Sequence, residues 1–158
     1  MKPYQFGIIG AGMYGKILMK WLQQDERAHI LWVNSASEAT TQAAAKEFGV
    51  EKWSTDYRDV LNDPQVDAVI IATPPFLHAE QVEAALKAGK HILLEKPIAE
   101  SRESLQRIVK AVESAPSLKV LEASCRHTRL SQKFKFIKDI IDSGKLGQVY
   151  HIHHNSLG

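Results

Sequence analysis

The feature that most constrains the fold is a glycine-rich turn that lies between an apolar run and a helical pattern. Residues 4–9 form an apolar run typical of a buried strand, and residues 13–24 have helical spacing without proline. The turn between them carries Gly10, Gly12 and Gly15 in G-x-G-x-x-G spacing. In such a strand–turn–helix unit, the helix N-terminus supplies donors and positive potential for a phosphate. The placement predicts a phosphate-binding turn, with a dinucleotide as the expected ligand.

Each glycine has its own predicted task. Gly10 makes the tight turn, Gly12 lets a pyrophosphate approach the backbone, and Gly15 lets the helix and the strand pack closely. Three glycines within six residues also occur in ordinary loops, so the motif alone is a weak signal. The strand before it and the helix after it favour the phosphate-binding interpretation.

Strand and helix patterns alternate along the first 124 residues. Several of the strand runs are continuously apolar, so both of their faces are expected to be buried. The last helix of this region begins with a capping-box pattern at Ser101, in which Ser104 replaces the usual Glu or Gln. The order predicts an α/β fold, a Rossmann-type doubly wound parallel sheet with right-handed crossovers. Predicted strands span 4–9, 29–34, 66–73, 91–94 and 118–123, and predicted helices span 13–24, 38–48, 77–88 and 101–113.

The pattern changes after Ser124. Residues 132–143 have the spacing of an amphipathic helix, residues 144–147 predict a turn, and residues 148–154 alternate like a half-buried strand. A lone strand needs a sheet to join, and no unused strand remains in this sequence. We therefore expect residues 1–124 to form one domain, and residues 125–158 to be the first helix and strand of a truncated α+β domain.

Composition narrows the function classes. With 158 residues, 44% of them hydrophobic, the chain suits one main domain. Lys and Arg number 20 against 18 Asp and Glu, without a dense basic run, so nucleic acid is not an expected partner. No apolar stretch predicts a membrane span, and the single cysteine, Cys125, indicates a reducing compartment, so a cytoplasmic location is expected. His151 and His153 lack a third ligand at useful spacing, so no metal site is predicted.

Several strings of the sequence, taken together, point to a known family. They are FGIIGAGMYG near the start, DAVIIATPP at 67–75 followed by His78, AGKHILLEKP at 88–97, and SGKLG at 143–147. With these strings the chain resembles the nucleotide-binding half of the Gfo/Idh/MocA oxidoreductases, which include glucose-fructose oxidoreductase and inositol dehydrogenases. The resemblance covers essentially all of the chain, and Glu-Lys-Pro after a short strand is its most specific element.

The resemblance implies an NAD(P)-dependent oxidoreductase that passes hydride between nicotinamide and a sugar, cyclitol or related polyol. Lys96 is the implied catalytic residue, because a cationic donor stabilises the alkoxide character that develops on the reacting oxygen. A cis peptide at Pro97 is also implied, which would aim Lys96 into the cleft. The acid/base partner, much of the substrate site and the interface of a homo-oligomer belong to the second domain of such proteins. The implied cofactor-binding residues are Gly10, Ala11, Gly12, Met13, Tyr14, Gly15, Thr73, Pro74, His78, Glu95, Lys96 and Arg126.

One position departs from the usual dinucleotide-binding pattern. That pattern has an Asp or Glu about 20 residues beyond the glycines, where it binds the ribose 2′-hydroxyl. Counting from Gly15 leads to Ser35, and the next residue is Ala36 where an NADP-type site would carry arginine. Without an acid, the main barrier to a 2′-phosphate is absent. The sequence is therefore compatible with NAD or NADP and favours NADP, with Ser35 near the adenosine ribose.

Two functions of different classes remain open at this point. The first is the cofactor-binding portion of an oxidoreductase with a small-molecule sugar or polyol substrate. The second is a non-catalytic NAD(P)-binding sensor or regulatory module, or a truncated remnant. The reading frame beyond Gly158 distinguishes the two, because only the oxidoreductase requires a second domain there.

Overall fold

A computed structural model of the chain describes residues 2–123 and 131–153. Their contacts divide the chain into two compact units, residues 1–123 and residues 124–158. The first unit contains a parallel sheet and its covering helices, and the second contains one described helix. We treat each unit separately.

The described part of the first unit contains six strands and five α-helices, and a 3-10 turn at Pro75–Leu77 precedes the fourth helix. The strands are β1 (Tyr4–Ile9), β2 (Ala28–Asn34), β3 (Lys52–Ser54), β4 (Ala68–Ile71), β5 (His91–Leu94) and β6 (Val120–Glu122). The helices are α1 (Met13–Leu22), α2 (Glu38–Phe48), α3 (Tyr57–Asn62), α4 (His78–Lys87) and α5 (Arg102–Glu113).

The strands form one sheet in the order β3-β2-β1-β4-β5-β6, and all of its pairings are parallel. This is the strand order of the doubly wound dinucleotide-binding folds, so the predicted fold class is confirmed. The order reverses between β1 and β4. Ligands of open α/β sheets bind at the carboxyl ends of the strands beside such a reversal. A ligand site is therefore expected at the loops after β1 and β4.

Both faces of the sheet are buried, as the continuous apolar strands predict. Ile8 and Ile70 point to a cluster shared with α1 and α2, whereas Ile9 and Ile71 point to a cluster shared with α3, α4 and α5. Each of these four isoleucines has at most 1% of its surface exposed. Full burial of such side chains is worth about 1.5–3 kcal/mol each, so the central strands are fixed firmly in place.

The helix caps explain where two of the helices begin. Ser37 precedes α2, and its hydroxyl accepts a hydrogen bond from the Thr40 amide at 3.4 Å. Ser101 precedes α5 and accepts one from the Ser104 amide at 3.1 Å. The Ser104 hydroxyl, however, donates to Glu100 rather than completing a reciprocal box. The predicted capping pattern is thus only half formed, because serine is too short to replace Glu or Gln.

The sequence pattern did not predict β3 and α3. β3 has only three residues and lies beside β2 at the end of the sheet order, so its apolar signal is weak. α3 begins after Asp56, whose carboxylate accepts a hydrogen bond from the Arg58 amide at 2.9 Å. That aspartate is an ordinary N-cap signal, and it could have identified the helix.

The second unit departs from expectation at its end. Its helix, α6 (Gln132–Asp142), forms as predicted, but none of its residues is buried. Residues 148–153 do not form the predicted strand, and Tyr150 is 95% exposed. The prediction was wrong for these residues because a strand is stabilised by ladder hydrogen bonds, and no described strand pairs with them. His154 lies outside the described residues.

Among the described residues, no helix is long and apolar enough to cross a bilayer. Cys125 and Arg126 lie outside the part of the chain that the structure describes.

Candidate functional site

Loops after β1, β4 and β5 lie side by side at the carboxyl end of the sheet. The backbone at Gly10 approaches the loop after β4 so closely that a Cβ atom there would lie 2.6 Å from the Ala72 carbonyl group. The loop after β5 reaches the same place, because the Lys96 ammonium lies 4.9 Å from the centre of the Tyr14 ring at the start of α1. The fold thus assembles residues from three separate segments of the sequence.

Gly10 and Gly15 are glycines because the fold itself requires them. Gly10 has φ +102°, a conformation that L side chains rarely adopt. A Cβ at Gly15 would overlap the Gly10 carbonyl oxygen. Both predicted tasks, the tight turn and the close helix packing, match this geometry. Neither residue needs a ligand to explain it.

Gly12 is different from the other two. Its φ of −73° and ψ of −168° are open to any residue, and a Cβ there would meet nothing within 4 Å. Neither backbone conformation nor packing within the described chain therefore requires glycine at this position. A ligand that approaches the backbone through this open space would require it, as the predicted pyrophosphate does.

The N-terminus of α1 opens beside Gly12. Amides of the first helical turn have no acceptor within the helix, and this turn carries no acidic side chain that would neutralise its positive end. Met13 is 74% exposed at this end. By contrast, Ala11 is fully buried, and its amide donates to the Asn34 carbonyl at 3.0 Å. The Ala11 amide is therefore already engaged by the Asn34 carbonyl group, and the implied place of the Ala11 backbone at the cofactor stays a prediction.

The Asn34 carbonyl also accepts from the Gly10 amide at 2.9 Å, so the end of β2 holds the glycine turn in place. Sequence reasoning missed this function. No sequence signal reveals it, because any residue offers the same carbonyl group.

The loop after β4 contains Thr73 and Pro74, and it leads into His78. The Thr73 hydroxyl donates to the buried Gln81 side chain, and Pro74 is exposed. The His78 ring is fully buried, with Nε2 2.9 Å from the Thr73 carbonyl oxygen and Nδ1 3.3 Å from the Ile98 carbonyl oxygen. In this structure the ring offers no surface for the cofactor contact that the resemblance implies, because it is fully buried and both of its nitrogens face backbone carbonyls.

The loop after β5 places a cation beside the glycine turn. Glu95 is 4% exposed, and one of its carboxylate oxygens accepts a hydrogen bond from the Lys96 amide at 2.6 Å. The Lys96–Pro97 peptide bond is cis, and the Lys96 side chain is exposed above Tyr14. The loops after β1, β4 and β5 border one region at the carboxyl end of the sheet, which we call the crevice. Lys96 can donate a charge-assisted hydrogen bond to a ligand there, whereas the Glu95 carboxylate binds within its own loop.

The loop continues to Glu100, at the start of α5. A hydrogen bond from the Ser104 hydroxyl lowers the pKa of the Glu100 carboxyl, and the nearby His78 adds a smaller effect in the same direction. Glu100 is exposed, so its negative charge lies at the surface, four residues after Lys96 along the chain.

Ser35 comes directly after β2, at the same carboxyl end of the sheet. It is half-buried, and its carbonyl oxygen accepts from the Thr41 hydroxyl at 3.1 Å. Residues 34–37 carry no charged side chain, and the Ser37 hydroxyl caps α2. The place where an acid would bind a ribose hydroxyl is therefore uncharged.

Comparisons with known proteins agree with this geometry. Residues 4–122 match the model of the Gfo/Idh/MocA family, described as an oxidoreductase family with an NAD-binding Rossmann fold. The chain belongs to this family. Members of known sequence include the 1,5-anhydro-D-fructose reductase of Ensifer adhaerens, 33% identical over 91% of this chain and 42% of that protein. The inositol 2-dehydrogenase of Rhizobium meliloti is 33% identical over 92% of this chain and 42% of that protein.

Solved structures give the same result. The scyllo-inositol dehydrogenase of Lactobacillus casei, with bound NAD(H) and scyllo-inositol, superposes with a TM-score of 0.85 at 32% identity, over 92% of this chain and 43% of that one. An oxidoreductase of Desulfitobacterium hafniense that is named for NADPH dependence superposes with a TM-score of 0.87 at 25% identity, over 94% and 42%. The chain spans between 40% and 44% of the length of the curated relatives it matches.

Proposed function

We propose that this chain is the NAD(P)-binding portion of an oxidoreductase that acts on a sugar, cyclitol or related polyol. The observation that carries the proposal is Gly12, a glycine that the described chain does not require and that opens onto a helix N-terminus. Family membership and the inositol and sugar dehydrogenases among the relatives support it.

The proposed cofactor site extends along the loops at the carboxyl end of the sheet. Gly12 and the first turn of α1, including Met13 and Tyr14, bind the pyrophosphate, while Gly10 and Gly15 shape the turn. On this proposal, Thr73 and Pro74 border the cofactor from the loop after β4. Arg126 stays in the proposal from the family resemblance alone.

Lys96 is the proposed catalytic residue. The bound nicotinamide cofactor supplies the hydride donor or acceptor, and the protein must stabilise the charge that develops on the reacting oxygen. An ammonium group that donates a hydrogen bond to this oxygen favours its alkoxide form in the transition state. Its position 4.9 Å from the Tyr14 ring puts that charge beside the proposed cofactor turn.

Residues 125–158 are proposed to begin the second part of the oxidoreductase, which supplies the acid/base group, much of the substrate site and the subunit interface. On this proposal, the 158-residue chain binds cofactor without turning over a polyol. A sensor or regulatory module would also bind the cofactor, but no observation in the described residues favours that alternative.

Ser35 decides the proposed cofactor preference. An uncharged end of β2 admits a 2′-phosphate, and Ser35 and Ser37 offer hydroxyl donors to it. Because no cation lies in that segment, the proposed preference for NADP over NAD is small. Both cofactors are expected to bind.

Ligand-dependent unfolding of the 158-residue chain tests the proposal. NADH or NADPH at about 100 times its dissociation constant should raise the free energy of unfolding by about 2.7 kcal/mol. AMP, which lacks the pyrophosphate bridge, serves as the matched control and should bind much more weakly. The absence of saturable stabilisation by either dinucleotide would contradict the proposed function. Steady reduction of NAD or NADP by the chain with myo-inositol, lost in Lys96→Ala, would show that the catalytic set lies within these residues.

A further inference from the structure

One buried histidine connects the two loops that flank the proposed ligand crevice. His78 is the first residue of α4, so the helix fixes its backbone beneath the carboxyl end of the sheet. Its ring has no exposed surface. The ring is therefore closed off from any ligand in the crevice and can act on one only through the loops that it contacts.

The two ring nitrogens face different loops. Nε2 lies 2.9 Å from the carbonyl oxygen of Thr73, in the loop after β4. Nδ1 lies 3.3 Å from the carbonyl oxygen of Ile98, two residues after Lys96. The ring donates to one carbonyl or the other according to its tautomer, and to both when both nitrogens carry protons.

These contacts matter because a buried carbonyl group is costly when it has no donor. Both loops leave the sheet at neighbouring strands, where the Glu95 amide donates to the Ile71 carbonyl at 2.8 Å. Beyond that bond, the His78 ring contacts both loops, with Nε2 near the Thr73 carbonyl oxygen and Nδ1 near the Ile98 carbonyl oxygen. Gln81, one turn further along α4, holds the Thr73 side chain from the same helix.

We infer that His78 is a positioning residue, which holds the Lys96 loop against the loop after β4 and so keeps the Lys96 ammonium at the crevice. The contacts themselves are independent of any ligand. The consequence for cofactor binding rests on the proposed function.

Paired substitutions can separate the two contacts. The side-chain nitrogen of Asn reproduces the position of histidine Nδ1, and that of Gln reproduces the position of Nε2. His78→Asn therefore keeps the donor to Ile98, His78→Gln keeps the donor to Thr73, and His78→Phe keeps neither. Val82→Ala is the matched control, because Val82 is fully buried in the same helix and belongs to the core cluster beneath the sheet.

Amide hydrogen exchange in the ligand-free chain is the first measurement. The Lys96 amide, which donates to Glu95, reports on one loop, and the Leu77 amide, which donates to the Pro74 carbonyl, reports on the other. His78→Phe should raise exchange at both amides about tenfold or more over Val82→Ala. His78→Gln should raise it mainly at Lys96, and His78→Asn mainly at Leu77. Equal exchange at Lys96 in all three variants and the control would overturn the inference.

NADH affinity is the second measurement. His78→Phe should bind NADH about tenfold more weakly than Val82→Ala at a comparable loss of stability, with His78→Asn in between. If the loops loosen but the affinity stays at the control value, His78 is a purely structural residue and the positioning role fails. If the wild-type chain binds no nicotinamide dinucleotide, the proposed function fails, while the exchange measurement still decides whether His78 joins the loops.

Discussion

The two ends of the same parallel sheet use polar residues in opposite ways. At the amino end, polar side chains are satisfied by other groups of the chain itself. The Asp63 carboxylate, before β4, accepts hydrogen bonds from the Trp32 indole at 2.7 Å and from the Lys52 ammonium at 2.8 Å. The buried Lys90 ammonium, before β5, donates to the carbonyl oxygens of Asp63 and Val66 at 2.8 and 2.9 Å.

At the carboxyl end, by contrast, some polar groups of the described chain face open space. Space lies beside Gly12, the first turn of α1 carries no acidic side chain, and Lys96 extends over the same turn. The difference teaches that polar residues alone do not identify a site. A ligand site is indicated where neither packing nor backbone conformation explains the residue type, as with the glycine at position 12.

Substitution of Gly15 tests whether this glycine is required by packing within the chain and not by a ligand. Gly15→Ala should lower the free energy of unfolding by about 3 kcal/mol, because its Cβ would overlap the backbone carbonyl oxygen of Gly10. Urea denaturation of the ligand-free chain measures this loss. A stable Gly15→Ala chain would mean that the turn relaxes easily, and the distinction between Gly15 and Gly12 would disappear.

Asp63 tests the amino end. Asp63→Ala should lower the free energy of unfolding by about 2 kcal/mol, because the Trp32 indole and the Lys52 ammonium lose their shared acceptor. NADH affinity should stay unchanged, since these residues lie at the opposite end of the sheet. If the Asp63→Ala chain is fully folded but binds NADH more weakly than the wild type, the two ends of the sheet are not separate in function.

The same carboxylate predicts a pH dependence. Hydrogen bonds, first from Lys52 and then from Trp32, lower the pKa of Asp63 from its ordinary 3.8 to about 2. A lowered pKa in the folded state gives stability that is present above the ordinary value and lost as the pH falls from 3.8 towards 2. Unfolding measured across that window should show a shallower loss in Asp63→Asn than in the wild type. Parallel curves would indicate that Asp63 titrates normally.

Ser35 gives the smallest expected effect and sharpens the description of the carboxyl end. Ser35→Asp should shift the cofactor preference towards NAD by about tenfold, or about 1.4 kcal/mol, because the new carboxylate repels a 2′-phosphate. Parallel titrations with NADH and NADPH at low salt measure the shift. If the wild type already rejects NADPH by about tenfold, the proposed preference is wrong.

Much of the first unit could be predicted because its apolar runs and glycine turns are local signals. The strands that contain Ile8 and Ile70 and the turn at Gly10 can be read from spacing alone. β3 was missed because a strand of three residues at the end of the sheet carries little apolar pattern. The strand expected at 148–153 does not form, because an alternating sequence pattern does not show whether a neighbouring strand is present to pair with it.

The candidate site was predicted by residue type but not by contact. In the fold, the Lys96 ammonium lies 4.9 Å from the centre of the Tyr14 ring, next to the glycine turn. The roles of His78 and Ala11 depended on which side chains and amides the chain itself engages. Such bonds join segments far apart in the sequence, so they become visible only in the folded chain.

The central claim is that the open space at Gly12 exists for a dinucleotide, and Gly12→Val tests it most directly. A Cβ at this position has no neighbour within 4 Å, so the free energy of unfolding without ligand should change by less than about 1 kcal/mol. With NADH at about 100 times the wild-type dissociation constant, the stabilisation of about 2.7 kcal/mol should be lost, because the valine blocks the pyrophosphate. A folded Gly12→Val chain that NADH stabilises as much as it stabilises the wild type would contradict the claim.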